Sequence, residues 1–292
     1  MRLGPRALLA LAGACALVFV LDLVAAYLVG PARYVDAAAL DGFVSFDHAR
    51  MLGLAGHVAH LGDPGSVALL GLGIAALALG RGRPRVALAV VSLLAATSVS
   101  SQGLKALLEH PRPSEFSDVA KVGAAAFPSG HATAAMAVGL ALVMAAPARV
   151  RPLAAFVGVG LALIVGFAVL VDGGHFPSDV LGGYLLAAGW TFAVAAAVRW
   201  TDLRWPQRSG RSAAATAIRR AVEGAAALGL GALAVAAALL AGLTALAFVV
   251  TRLPDALGYA DRHTSTVVVA AGLAVAAIGL TVLVTAGLAR RP

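Results

Sequence analysis

Charge is scarce in this chain of 292 residues: only 12% are Asp, Glu, Lys or Arg, and 14 of them are acidic. With 61% apolar residues and a mean hydropathy of +0.92, it lacks the polar surface that a water-soluble globule needs. Aromatics make up 6%, and abundant Ala, Gly, Leu and Val suit helices packed closely in a bilayer. Cysteine is almost absent. Cys15 is the only one, which excludes intramolecular disulfides and cysteine-based metal sites. The surplus of 22 basic over 14 acidic residues gives a formal charge of +8. Its arginines sit in short loops between apolar runs, the pattern of membrane orientation and not of nucleic-acid binding.

Long apolar runs are plentiful. Since a span takes about 20 residues, the sequence predicts an all-α polytopic membrane protein with eight spans. These are Ala7–Val29, Ser66–Leu79, Val86–Ser100, Ala132–Ala146, Leu153–Val171, Val180–Val198, Val222–Val250 and Val267–Leu288. The second, third and fourth are short, and their helices are expected to extend into flanking polar residues. Basic residues alternate between loops: Arg2 and Arg6, Arg81 to Arg85, Arg149 and Arg151, Arg199 to Arg220, and Arg290 and Arg291 share one side. That side is assigned to the cytoplasm, with both termini on it. The other side carries Asp36, Asp41, Asp47 and Asp63, then Arg252, Asp255, Asp261 and Arg262. A three-part organisation follows: a six-span core over 1–200, a basic linker over 201–221 and a C-terminal hairpin over 222–292.

Three polar stretches on the non-cytoplasmic side carry chemistry. The first is KALLEHPRP, with Lys105 seven residues before Arg112 and Pro113; both cations suit phosphate oxygens. In the second, Phe127-Pro128-Ser129-Gly130-His131 enters the fourth apolar run, so Ser129 and Gly130 stand at a helix N-terminus, where free N–H groups favour an anion. In the third, DGGHFPSDV, His175 and Asp179 form an oriented imidazole–carboxylate pair, which leaves His131 free for proton transfer. His48, His57 and His60 read as solvated loop residues, and His110 as a loop histidine with local hydrogen bonds. Asp22, inside the first span, is either functional or simply close to interfacial water.

KALLEHPRP, PSGH and HFPSD, in this order, resemble the three signature blocks of the PAP2 (type 2 phosphatidic acid phosphatase) superfamily. The resemblance covers Lys105 to Asp179 and, with its six-span setting, the membrane-bound branch. It implies that Lys105, Arg112, Ser129 and Gly130 bind phosphate. It also implies that His131 is the general acid, His175 the nucleophile forming a phosphohistidine, and Asp179 its activating carboxylate. No metal or other cofactor enters that mechanism. The implied enzyme is a hydrolase of lipid-linked phosphate or diphosphate, of the polyprenyl diphosphate or diacylglycerol phosphate type, in a bacterial plasma membrane with its site facing outside. Its partners are a lipid phosphate and the bilayer, with no nucleic acid.

The chain departs from the family where the third block normally opens with Ser-Arg, since Ala168 and Val169 stand there. One lost charge-assisted donor is worth about 3–4 kcal/mol at a transferring phosphoryl group, a factor of roughly a hundred to a thousand in rate. Lys121, Arg33 and Arg50 are the substitute cations the sequence offers. The alternatives are a lipid phosphotransferase, or a catalytically silent member that binds or transports lipid.

The orientation is testable by single cysteines in a Cys15→Ser background and an impermeant thiol reagent. Positions 105, 112, 131, 175 and 179 are expected to face outside, and 83, 151 and 208 to face the cytoplasm. Labelling at 208 would overturn the assignment.

Overall fold

The structure, a computed structural model, describes residues 3–45, 56, 58–109, 122–206 and 258–288. Among these, all regular structure is helical. The helices are α1 (Pro5–Leu28), α2 (Gly30–Ser45), α3 (Pro64–Gly80), α4 (Pro84–Leu107), α5 (Gly130–Ala145), α6 (Arg151–Val171), α7 (Pro177–Arg204) and α8 (Thr264–Leu288), with a 3-10 turn at His60–Gly62. Proline opens α1, α3, α4 and α7, where its missing N–H has no intrahelical partner to lose.

Helices α1, α4, α6, α7 and α8 are long and apolar enough to cross a membrane, while α3 and α5 are apolar but shorter. The expected extension into polar flanks occurs in α4, which runs on through Lys105 to Leu107. In α3 and α5 it amounts to a residue or two at an end, and they stop at 17 and 16 residues. At the start of α5, the Ser129 side chain accepts from the Ala132 amide and ends the helix there. The stretch after the first span, expected to be an acidic loop, is the helix α2. It buries Asp36, Ala37, Ala39, Leu40, Gly42 and Phe43 on one face, an amphipathic periodicity that the acidic residues mask. The span expected over Val222–Val250 lies outside the described residues.

Two units are separable. The larger comprises Met1–Thr201 and Ser265–Pro292, and nearly all of α8 belongs to it. There the Thr266 hydroxyl donates to the Ala39 carbonyl at 3.1 Å, and Leu273, Ala277 and Val284 join the main apolar core. The smaller unit is Asp202–Thr264; within it Tyr259 stacks on His263 at 4.5 Å. In the larger unit α5 is almost wholly buried and is the central helix. Large apolar side chains on α1, α3 and α4, such as Leu17, Leu72 and Val99, are exposed, as a lipid-facing surface requires.

Glycine sets the closest approach. A Cβ on Gly139 of α5 would lie 2.7 Å from the Gly158 Cα of α6, so the two backbones touch directly. Between α3 and α4, Gly82 has φ 64°. Its amide donates to Leu79 and that of Arg83 to Ala78, the paired bonds that finish a helix with a left-handed residue. The same end holds a set of arginines. Arg81 and Arg83 donate to the Ala145 carbonyl at 3.3 and 3.2 Å, and Arg151 donates to those of Ala146 and Leu288 at 3.3 and 3.0 Å. These carbonyls are helix C-terminal groups with no intrahelical donor. The loop arginines therefore seal helix ends in addition to any role in orientation.

Replacing Gly158 by leucine is expected to force α5 and α6 apart and cost about 1–3 kcal/mol, the range for overpacking. Thermal unfolding in detergent, with Gly160→Leu as the comparison because nothing lies within 4 Å of a Cβ there, checks this.

Candidate active site

The end opposite the arginines is where α3, α5 and α7 begin and α4 finishes. Each helix N-terminus presents unpaired N–H groups and the positive end of its dipole. The first turn of α5 is fixed by its neighbours. Phe127 is fully buried, 5.3 Å from Phe19 of α1 between ring centroids, and its ring lies over Gly182, where a Cβ would come within 2.7 Å. The Ser129 amide donates to the Asp179 carbonyl at 2.9 Å. Gly183 lets α7 approach: a Cβ there would be 2.9 Å from Thr133 Oγ1 and 3.0 Å from the Ser129 carbonyl. The second and third sequence blocks are thus tied backbone to backbone.

Within the third block, His175 Nδ1 lies 3.3 Å from Asp179 Oδ2, with the imidazole side chain 12% exposed and the carboxylate fully buried. The same Oδ2 accepts from the Phe176 amide at 2.8 Å, so Asp179 closes the start of α7 while facing the ring. Nδ1 is committed to Asp179, and Nε2 is the ring atom left for a substrate. From the first block, Lys105 Nζ comes within 3.8 Å of where a Gly130 Cβ would stand, and its ammonium is within electrostatic reach of Asp179. Lys105, Gly130, His131, His175 and Asp179 are therefore brought to one end of the bundle. Arg112, with His110, Lys121, Arg50, His48 and His57, lies outside the described residues.

Ser129 is completely buried, its amide is used by the Asp179 carbonyl and its side chain by the Ala132 amide, so it shapes the turn. The amides of Gly130 and His131, at the first two helical positions, are the ones with no acceptor inside the helix.

Two acidic residues read as loop charges hold the site together. Asp36 of α2 accepts from the Ser178 amide at 2.9 Å and from its hydroxyl at 2.6 Å. It thus caps α7 from 142 residues away. Asp63 precedes α3; its Oδ2 lies 2.7 Å from His60 Nδ1 and its Oδ1 3.0 Å from His131 Nε2. These hydrogen bonds, to His60 first and His131 second, hold the Asp63 carboxyl below the usual range. So His60, solvated as expected, also pairs with Asp63, and one nitrogen of His131 is already engaged. Neither contact has a local sequence signal beyond an Asp followed by Pro64 or a His three residues before it.

Asp22 lines a cavity of about 600 Å³ with Asp36, Pro31, Ser178, Leu181 and Leu273, between α1, α2, α7 and α8. Among the described residues no group of three or more His, Cys, Asp or Glu is arranged to hold a metal ion. Ala168 and Val169 are buried at 6% and 5% exposure. An arginine at 169 would have to displace packed apolar neighbours before reaching the site.

Replacing Asp36 by alanine leaves the amide and hydroxyl of Ser178 without their charged acceptor. A loss of about 1.5–3 kcal/mol is expected, the value of a hydrogen bond to a charged group, and Asp36→Asn is expected to lose less. Thermal unfolding of the detergent-solubilised chain measures both.

Comparison with known proteins adds two findings. The family model described as the PAP2 superfamily matches residues 85–203. Among solved structures, the chain is similar to the crystal structure of the first transmembrane PAP2 type phosphatidylglycerolphosphate phosphatase from Bacillus subtilis. The TM-score is 0.55 at 21% identity, over 68% of this chain and 98% of that one, a likeness of fold. No curated protein matches the sequence.

Proposed function

Because this chain carries a PAP2 superfamily region at residues 85–203 in an all-helical membrane fold, we propose that it is a phosphatase for a lipid-linked phosphate or diphosphate at the outer membrane face. The observation that carries this reading is the His175–Asp179 pair beside Lys105 and the open N-terminus of α5. A phosphoryl group there would meet a cation, two helix-end amides and an imidazole with one free nitrogen.

The reaction follows from these positions. The lone pair of His175 Nε2 forms a bond to phosphorus while the bond to the leaving oxygen breaks. Asp179, on Nδ1, supports the positive charge that develops on the ring. His131 delivers a proton to the departing oxygen. Water then attacks the phosphohistidine, His131 recovers a proton from it, the P–N bond breaks and inorganic phosphate leaves. Lys105 and the Gly130 and His131 amides face the equatorial oxygens, where transition-state charge is spread. Arg112 is assigned to the same group from its place in the first block. The lipid chain remains in the bilayer, so only the headgroup has to reach the helix ends. Polyprenyl diphosphates and diacylglycerol phosphates are the substrate classes of choice, and phosphatidylglycerolphosphate, named for the similar structure, belongs in the panel.

Release of inorganic phosphate from that panel is the test. His175→Ala is expected to abolish both turnover and the covalent phosphoenzyme. His131→Ala is expected to lose about 10²–10⁴ in kcat on lipid substrates, the usual worth of general acid–base catalysis. An activated aryl phosphate, whose oxygen departs without a proton, should rescue only the His131 variant. Equal rescue of both removes the assigned roles, and a folded but inactive parent transfers the reading to lipid binding or transport.

A further inference from the structure

Asp63 occupies the N-cap position of α3, where an aspartate ordinarily accepts a bond from its own helix. Here it makes no such bond. Both carboxylate oxygens are turned to histidines instead, Oδ2 to His60 Nδ1 at 2.7 Å and Oδ1 to His131 Nε2 at 3.0 Å. The preceding turn is built against the same ring: a Cβ on Gly62 would stand 2.9 Å from both Cβ and Cδ2 of His131, and 3.0 Å from its Cα. Only glycine lets the His60–Gly62 turn lie flush there. With side chains 42% and 38% exposed, the Asp63–His131 contact is screened by water and adds little to stability. What it does fix is the orientation and protonation pattern of one imidazole.

We propose that Asp63 is a positioning residue for His131, set by the Gly62 turn and backed by His60, and that proton transfer at this site therefore runs through His131 Nδ1. This rests on the reading of His131 as the proton donor. An ionised Asp63 accepts from Nε2–H, so a neutral ring keeps its one proton on Nε2 and a bare lone pair on Nδ1. The protonated ring carries N–H on both atoms. It gives the Nδ1 proton to the leaving oxygen and becomes the neutral Nε2–H form. In the second half-reaction, Nδ1 takes a proton from the attacking water and the ring returns to its starting state. Asp63 accepts the same hydrogen bond throughout and is never protonated. The site would then hold two His–Asp pairs of opposite polarity. In one, Asp179 takes Nδ1 and leaves Nε2 for phosphorus; in the other, Asp63 takes Nε2 and leaves Nδ1 for the proton.

The test uses the full chain in detergent. Asp63→Asn should lower kcat on a diacylglycerol phosphate about ten- to a hundredfold, less than removal of the acid itself, with KM unchanged within about twofold. Turnover of an activated aryl phosphate should barely change. On a His131→Ala background the same substitution should cost nothing further. Gly62→Ala, which displaces the turn and keeps the carboxylate, should give the same selective loss. It serves if Asp63→Asn fails to fold. Equal losses on both substrates, or additive losses in the double variant, would overturn the proposal. A second readout is independent of turnover: in chain labelled with ¹⁵N-histidine, a downfield imidazole N–H resonance missing from His131→Gln should be present in the parent and lost in Asp63→Ala. Its absence from the parent overturns the pairing even if the enzyme is active. Its presence in a parent that releases no phosphate keeps the pairing and removes the phosphatase reading.

Discussion

Unpaired backbone groups at helix ends govern this molecule, because a bilayer interior offers them no water. The two ends of the bundle solve the problem with opposite chemistry. Where α3 and α5 finish, Arg81, Arg83 and Arg151 reach the last carbonyls of α5, and Arg151 also reaches that of α8. Where α5 and α7 begin, aspartates and a serine are the terminating groups: Asp179 and Asp36 at α7 and Ser129 at α5. Carboxylates at helix N-termini and guanidinium groups at C-termini are each the favoured sign for the dipole they meet. An anion entering the N-terminal end finds amides of Gly130 and His131 that no carboxylate has taken.

Much of the fold was legible in the apolar runs, since a helix that must bury its backbone in lipid announces itself by length and composition. What composition hid was α2, where Asp36 sits within the buried face, and the exact reach of the short helices. The separation of the site from the arginine-rich end was also legible, because loop charge and the three polar blocks alternate along the chain. Contacts between distant segments were not. Asp36 with Ser178 spans 142 residues and Asp63 with His131 spans 68, and a lone aspartate in a loop has no periodicity to mark its partner. The His175–Asp179 contact was readable because the two residues share one short polar block that leads into α7.

The positions of Ala168 and Val169 bear on how much charge the site can muster. Both are packed into the bundle near the end of α6, so the wall there is an apolar surface. Lys105 is the basic side chain that the described residues place next to Gly130. The amides at the start of α5 are positioned by backbone packing at Gly183 and Phe127 and not by flexible side chains.

The shortness of α3 and α5 sets a depth. Sixteen residues of α5 rise about 24 Å, against a hydrocarbon thickness of about 30 Å. With the Ala145 end pinned by arginines that seek the headgroup layer, the Ser129 end stops several ångströms below the opposite surface. Helix α3, at 17 residues, stops at a similar level. Two truncated helices side by side among longer ones make a polar notch in the leaflet rather than a groove on top of it. Any polar solute reaching the start of α5 has to descend into that notch, and a thinner leaflet shortens its path.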